Sequence, residues 1–164
     1  MREIIYHRKL LRYGADILYS PGMQLEKDFL QHGEVSVFAH SIAVACACLL
    51  IARLLHRYLK IRLNERALVR GALLHDYFLY DWHVPDKSHR LHGFFHARRA
   101  LRNASRDFAL GEIERDMIAK HMFPLNLRPP VFRESIILCI ADKICAADET
   151  LTRQSRYRDI SRQY

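Results

Sequence analysis

Histidine and aspartate residues recur at positions of this sequence that share a helical face with apolar residues. His40, His75, His121 and Asp142 each lie three or four residues from apolar side chains on the same helical face, so we expect them to point towards the interior of the protein. A single inward histidine is usually a hydrogen-bonded core residue, but several in one chain favour a shared site. Metal coordination is the chemistry that these residue types support best.

The aspartates of this set give the strongest argument for a metal ion. A buried carboxylate loses several kcal/mol of hydration unless a positive group offsets the loss, and no Lys or Arg lies one helical turn from Asp142. A divalent cation would offset it. Consecutive residues on a helix diverge by about 100°, so His75 and Asp76 meet one ion only if it lies between helices. Lys143 lies about 100° around the helix from Asp142, so it is better placed to reach a substrate than to pair with Asp142.

The ligand types narrow the choice of metal. Histidine and carboxylate together suit borderline or hard ions, so we expect one or two ions of Mn, Fe, Co, Ni, Zn or Mg. The lack of a nearby cysteine cluster disfavours a structural zinc site. His92 and His96 have the i,i+4 spacing of helical zinc pairs, but the glutamate of HExxH is missing and Gly93 follows the first histidine. A zinc protease is therefore not predicted.

The whole pattern resembles the HD superfamily of metal-dependent phosphohydrolases. The resemblance rests on His40 in HSIAVA, the doublet His75-Asp76 in GALLHDYF and Asp142 in CIADKICA, and it covers roughly residues 35–149. It implies an all-α fold, a compact bundle of about six helices. It also implies that these four residues hold the first metal ion.

Members of this superfamily with two metals carry two more histidines between the doublet and the last aspartate. Here LHGFFHARRAL and IAKHMF occupy those places, so the resemblance implies His92 or His96, then His121, as ligands of a second ion. Bacterial members with an LHG segment, among them dinucleoside tetraphosphate hydrolases, make His92 the expected ligand ahead of His96. His96 stands where the common HGxxGA form has glycine.

The function implied by the resemblance is metal-dependent hydrolysis of a phosphate ester or anhydride of a nucleotide-like small molecule. Asp76, His75 and Lys143 are the predicted catalytic residues. Further cations predicted to contact the phosphate are Lys87, Arg90 and Arg98. Two alternatives stay open, an HD-type di-iron oxygenase and a non-catalytic metal-binding signalling module.

The elements that hold these residues are predicted to be helices, because the apolar residues repeat with helical spacing and no run alternates like a strand. We expect a single domain, with an N-terminal helical hairpin over 1–33, the core over 35–149 and a polar tail over 150–164. The predicted helices span about 2–18, 23–31, 35–59, 65–80, from 94 onwards, 112–122 and 131–150. The polar connection DWHVPDKSHRLHG is a predicted substrate lid.

Composition and charge restrict the partners. The net charge of +8 favours an anionic partner such as a phosphorylated small molecule, while the basic residues are scattered and no recognition motif for nucleic acid is present. Residues 35–52 contain no Asp, Glu, Lys or Arg, but their histidine, serines and small residues are typical of a core helix rather than a membrane span. We expect neither nucleic acid nor membrane as a partner.

The cysteines and the N-terminal residues indicate the cellular compartment in which we expect the protein. The four cysteines lie in apolar helical runs without CxxC spacing, which favours buried reduced thiols, and the charged start does not resemble a signal peptide. A cytoplasmic protein is predicted. The N-terminal hairpin lies outside the span of the resemblance and is a possible homodimer surface.

Overall fold

The computed structural model describes residues 2–32, 35–81 and 92–152, and in them the chain is mostly helical. Six substantial helices, one short helix and a two-stranded sheet follow each other along the chain. They are α1 (Arg2–Leu18), α2 (Pro21–Leu25), β1 (Leu30–His32), β2 (Val35–Ser36), α3 (Val37–Leu59), α4 (Glu65–Leu74), α5 (His92–Asp107), α6 (Glu112–Lys120) and α7 (Arg133–Thr152). The predicted helical class and the number of main helices are confirmed.

The long apolar helix α3 lies at the centre and packs against α4 and α7. It begins where the side chain of Ser36 accepts a hydrogen bond from the Ala39 N–H at 3.2 Å, and it ends at Lys60 in a left-handed conformation, φ 57°. By length and composition α3 alone among the described helices could cross a membrane. However, 61% of its most apolar window is buried inside the protein, which is typical of a core helix.

Helix α4 brings the middle of the chain into this core. Asn64 caps its N-terminus by accepting a hydrogen bond from the Ala67 N–H at 3.0 Å, and every residue from Ala67 to Leu74 is buried. A Cβ atom at Gly71 would lie 2.6 Å from Sδ of Met117, so the absence of a side chain lets α4 approach α6 closely. The end of α4 is thereby fixed in the centre of the bundle.

The helix predicted over residues 65–80 is too long, since α4 ends before the His-Asp doublet. The doublet forms a turn, and Leu79 takes a left-handed conformation with φ 61°. Backbone groups beyond the turn are satisfied from another helix, because Nδ2 of Asn103 donates to the carbonyl oxygens of Tyr77 at 3.2 Å and Phe78 at 3.0 Å. These contacts between distant residues are invisible to helical periodicity.

The N-terminal region also departs from the predicted helical hairpin. The helix expected over 23–31 is wrong: α2 is only five residues long and is followed by β1, which pairs antiparallel with β2. The start of α3 binds this segment through backbone hydrogen bonds, from Val37 to the Phe29 carbonyl at 2.8 Å and from Phe38 to the Glu26 carbonyl at 3.2 Å. The predicted bounds of α3, α5, α6 and α7 differ from the observed ones by at most two residues.

The cysteines are free thiols, as predicted. Three of them are buried and Cys46 is partly buried, and burial raises the pKa of Cys46 to about 11. Positions 82–91 of the predicted lid, with Lys87 and Arg90, lie outside the described residues, and so do positions 153–164 of the predicted tail. The last two positions of the predicted lid, 92 and 93, belong to α5. Residues 150–152, predicted as tail, belong to α7.

Candidate metal centre

Five elements bring their ionisable residues to one place in the interior of the bundle. Helix α3 contributes one histidine, the turn after α4 contributes the His-Asp doublet, α5 and the end of α6 contribute one histidine each, and α7 contributes an aspartate. These residues are His40, His75, Asp76, His96, His121 and Asp142. The first five are buried, and the side chain of Asp142 is 13% exposed.

A first group consists of His40, His75 and Asp76, whose potential ligand atoms all lie within 4.8 Å of one another. Nε2 of His75 lies 3.3 Å from Oδ2 of Asp76. Oδ1 of Asp142 approaches the same group, at 3.1 Å from Nε2 of His40 and 3.6 Å from Nε2 of His75. Two imidazoles and two carboxylates therefore face one small volume.

A second group consists of Asp76, His96 and His121. Oδ1 of Asp76 lies 3.3 Å from Nε2 of each of these histidines, and the two Nε2 atoms are 2.9 Å apart. Asp76 belongs to both groups, with Oδ2 directed to the first and Oδ1 to the second. The protein thus contains two buried His/Asp triads that could bind metal ions and that share one carboxylate.

Hydrogen bonds on the far side of three rings orient Nε2 towards this centre. Nδ1 of His40 is 2.9 Å and 3.0 Å from the two carboxylate oxygens of buried Glu149, and it donates to them. Nδ1 of His75 and Nδ1 of His121 each donate to the carbonyl oxygen three residues earlier, at 2.7 Å and 2.9 Å. Since a proton on Nδ1 leaves the lone pair on Nε2, all three imidazoles are prepared as ligands.

Several polar atoms of the centre fit a cation because the protein does not satisfy them. Among the described residues, Nε2 of His75 and Oδ1 of Asp76 are buried and have no hydrogen-bond partner of suitable geometry. The 2.9 Å approach of Nε2 of His96 and His121 is unfavourable when both carry lone pairs, unless a positive group lies between or beside them. Imidazole and carboxylate are the donors that borderline divalent ions accept.

The pKa values show that this centre requires positive charge. Burial lowers the pKa of His40, but hydrogen bonds and charges from Asp142 and Glu149 outweigh burial and raise it to about 9. Burial raises the pKa of Asp76, yet the charge of His75 and the imidazole nitrogens within 3.3 Å of its carboxylate oxygens hold it well below the usual range. In the metal-free protein, protons on the imidazoles balance the negative charge of the carboxylates, and divalent ions would replace these protons.

His121 behaves differently from the histidines of the first group. Burial lowers its pKa, and the charges of His75 and His96 lower it further, so that the opposing effect of Asp76 does not prevail. The neutral form is favoured, which is the form that binds metal. Its nitrogen is therefore available with little competition from protons.

Three buried residues of the centre were not found from the sequence. Gln31 of β1 donates from Nε2 to Oδ2 of Asp76 at 2.6 Å, and Glu149 holds His40. Glu26 lies fully buried nearby, and burial together with the charge of Asp76 raises its pKa well above the usual value. Glu149 follows Asp142 by seven residues on the same helical face, a spacing that could have identified it. No comparable pattern marks Gln31, because β1 was taken for a helix.

A cavity of about 700 Å³ opens onto the centre. Its polar side is formed by members of the two triads, by Gln31 and by Asp142, while its remaining lining is largely apolar. The apolar lining comprises Gly93, Met122, Pro124, Leu125 and Ala146. Lys143 also lines this cavity, and its Nζ donates to the carbonyl oxygens of Cys139 at 3.3 Å and His121 at 3.4 Å.

The predicted site residues therefore fall into three sets. The structure brings together His40, His75, Asp76, His96, His121 and Asp142, with Lys143 at the adjoining cavity. Arg98 lines a different cavity. The side chain of His92, the expected ligand ahead of His96, lies outside the described part of the structure, as do Lys87 and Arg90.

Fold and site together define a helical protein with a buried histidine and aspartate centre suited to divalent metal ions. Residues 37–147 match the HD domain family, and the chain belongs to this family. The matched span contains every residue of the two triads and Asp142, whereas Gln31 and Glu149 lie outside it. Neither the comparison with curated proteins nor the comparison with solved structures gave a match.

Proposed function

We propose that this protein is a metal-dependent phosphohydrolase that cleaves a phosphate ester or anhydride of a nucleotide-like small molecule. The proposal is carried by one observation, the two triads that share Asp76 at the side of a cavity. A bound divalent ion would lower the pKa of a coordinated water towards 7 and stabilise negative charge on phosphoryl oxygens. Family membership supports metal-dependent hydrolysis as the class of reaction.

The residues of the centre have separate tasks in this proposal. His40, His75, Asp76 and Asp142 would hold the first ion, and Asp76, His96 and His121 would hold a second. Hydrogen bonds at Nδ1 hold the rings of His40, His75 and His121 with Nε2 directed at the centre, so these three residues would need little reorganisation to bind an ion. Asp76 would contribute to both sites because it belongs to both triads.

The cavity supports a phosphorylated small molecule as the substrate. Its volume of about 700 Å³ lies within the range of about 300 to 1,000 Å³ that is usual for small-molecule sites. Lys143 offers a cation to the phosphate on the same side as the triads, and the apolar lining offers contact for an organic group. We propose Lys143 as a phosphate-binding residue that helps to place the scissile bond beside the metal centre.

The proposal is tested by purifying the protein without chelator, measuring bound metals and assaying phosphomonoesters, cyclic nucleotides and dinucleoside polyphosphates. We expect turnover of at least one class, dependent on a divalent metal and abolished by EDTA. Bound iron with substrate-dependent oxygen uptake would instead indicate the oxygenase alternative. Bound metal without turnover of any class would indicate a signalling module, and either result would overturn the proposal.

A further inference from the structure

A second, larger cavity of about 1280 Å³ lies on another side of α5 and is rich in arginine. Its arginines come from α5 and α6, and no acidic residue is among the described residues that line it. The five are Arg98, Arg99, Arg102, Arg106 and Arg115. Arg98, predicted from the sequence to bind the substrate phosphate, thus belongs to this cavity and not to the metal centre.

The two cavities are separate sites that share no described lining residue. Helix α5 stands between them and presents a different face to each. Gly93 and His96 line the cavity of the metal centre, whereas Phe95, Arg98 and Arg102 line the arginine cavity. The spacing of this second set, three and then four residues, is that of one helical face. A ligand in the arginine cavity does not need the metal.

The described part of the chain leaves much of the positive charge in this cavity without a negative partner. Arg106 is paired with its neighbour Asp107, at 2.6 Å and 2.7 Å, and Arg115 donates to the hydroxyl of Ser105 at 3.1 Å. Arg98 and Arg102 have no acidic partner among the described residues and stand one helical turn apart, where like charges destabilise a helix. An anion bound between them would remove this repulsion.

The shape of the array indicates an extended anion. From Arg98 to Arg106 the helix rises about 12 Å, so a single phosphate cannot reach the whole row, whereas a chain of phosphates can. The planar guanidinium group donates two parallel hydrogen bonds to phosphate oxygens, which makes arginine well suited to such a chain. Arg115 of α6 adds a further cation across the cavity.

Aromatic residues at the same cavity indicate that the ligand also carries a planar group. Phe95 is 55% exposed and lies one helical turn before the arginine row, and the ring of Tyr80 is covered by Arg99 at 4.7 Å. Both residues line the cavity. Exposed aromatic rings beside arginines are suited to stacking with a nucleobase while the cations hold the phosphates.

We propose that the arginine cavity is a binding site for a nucleoside polyphosphate, with its phosphates on the arginine row and its base against Phe95. This site is independent of the metal centre and goes beyond the proposed hydrolysis. Binding here should therefore persist when the metal is removed, whereas turnover should not.

The test is a calorimetric titration of the full chain in excess EDTA with ATP, GTP and inorganic tripolyphosphate as probes. We expect saturable binding of a nucleotide, weakened about tenfold or more by Arg98→Glu combined with Arg102→Glu, since each lost contact is a charged hydrogen bond. The matched control is Arg53→Glu combined with Arg57→Glu, two exposed arginines of α3. It changes net charge equally and should leave binding unchanged.

Phe95→Ala tests the position of the base. It should weaken binding of the nucleotide severalfold and leave binding of tripolyphosphate unchanged, and circular dichroism should show an intact helical fold in every variant. Absence of saturable binding in EDTA, or equal losses in the α3 control, would overturn the proposal. Equal affinity for nucleotide and tripolyphosphate, or tighter binding of a short single-stranded oligonucleotide, would also contradict it. Hydrolytic activity is measured separately with metal, so failure of either proposal is recognised by itself.

Discussion

Asp76 presents one carboxylate oxygen to each histidine group, and the side-chain amide of Gln31 fixes the orientation of this carboxylate. Gln31 donates to Oδ2 at 2.6 Å, and its own Oε1 has no hydrogen-bond partner among the described residues. Gln31 also lines the cavity of the metal centre. We therefore regard Gln31 as a positioning residue for Asp76.

Gln31→Ala should lower kcat/KM about tenfold, because a buried hydrogen bond to a charged group contributes about 1.5 to 3 kcal/mol. Metal content should change little, since all the ligands remain. Gln24→Ala in the neighbouring short helix α2 is the control, because its side chain donates to the Leu18 carbonyl and, among the described residues, does not contact Asp76. Equal losses in both variants would contradict a specific role for Gln31.

Glu149 is expected to act through His40. Substituting Glu149→Gln removes the negative charge that makes His40 a stronger ligand, and loss of such an outer partner usually lowers metal affinity about 10- to 100-fold. Asp148→Asn removes a charge from the neighbouring position of α7 and should have a much smaller effect. Titration of the metal-free proteins with Mn²⁺ or Zn²⁺ measures both affinities, and an unchanged affinity in Glu149→Gln would exclude the role.

The protonation of His40 predicts how the stability of the metal-free protein depends on pH. Its pKa is raised from 6.5 to about 9, so folding gains stability that is fully present below pH 6.5 and is lost as pH rises through about 9. Asp76 and Asp142 have lowered pKa values, so their contribution is present above about pH 3.8 and is lost as pH falls further. Stability is therefore greatest between these limits.

Urea unfolding of the EDTA-treated protein should show a loss of roughly 3 kcal/mol between pH 6.5 and 9.5 from His40. The metal-loaded protein should lose much less, because ions take the place of the protons. A His40→Ala variant, compared only in its pH slope, should lose the part of this dependence that comes from His40 and keep the part that comes from His75, whose pKa is also raised by the charge of Asp76 and by Asp142 in spite of burial. A metal-free protein whose stability stays constant over this range would contradict the assignment.

At the scale of elements, the turn after α4 determines where the doublet points. The sequence correctly predicts that α4 begins at residue 65, because the cap at Asn64 and the apolar spacing are local properties. It does not predict where α4 ends, since the turn is held by Asn103 of α5, which is distant in the chain. Sheet pairing between β1 and β2 is missed for a related reason, because strands of three and two residues are too short to show alternation.

Asn103→Ala should loosen this turn. Loss of two hydrogen bonds to the carbonyls of Tyr77 and Phe78 is expected to lower the free energy of unfolding by about 1 to 3 kcal/mol and to weaken metal binding as well. Asn64→Ala is a matched control at the opposite end of α4, where loss of the cap costs about 1 kcal/mol. Weaker metal binding in both variants would show that stability, not the turn, limits binding.

At the scale of the whole molecule, the bundle combines two surfaces of opposite charge preference on either side of α5. The metal centre contains buried carboxylates and favours cations, whereas the arginine cavity is lined by guanidinium groups and favours anions. The residues of the two triads could be named from the sequence because inward polar residues are rare on apolar helical faces, although His92 was expected ahead of His96. The arginine cavity could not be predicted from the sequence, because its aromatic residues precede α5 or lie at its start and come together only through packing.

Asp76 belongs to both triads, so two ions can bind at once only if its carboxylate serves both of them. Metal content per chain, measured by elemental analysis after loading with Mn²⁺ or Zn²⁺ and removal of free ions, tests this claim. We predict two ions per chain in the wild-type protein and loss of both in Asp76→Ala, with the helical circular dichroism retained. A wild-type protein without bound ions, or an Asp76→Ala variant with the same metal content as the wild type, would contradict the account.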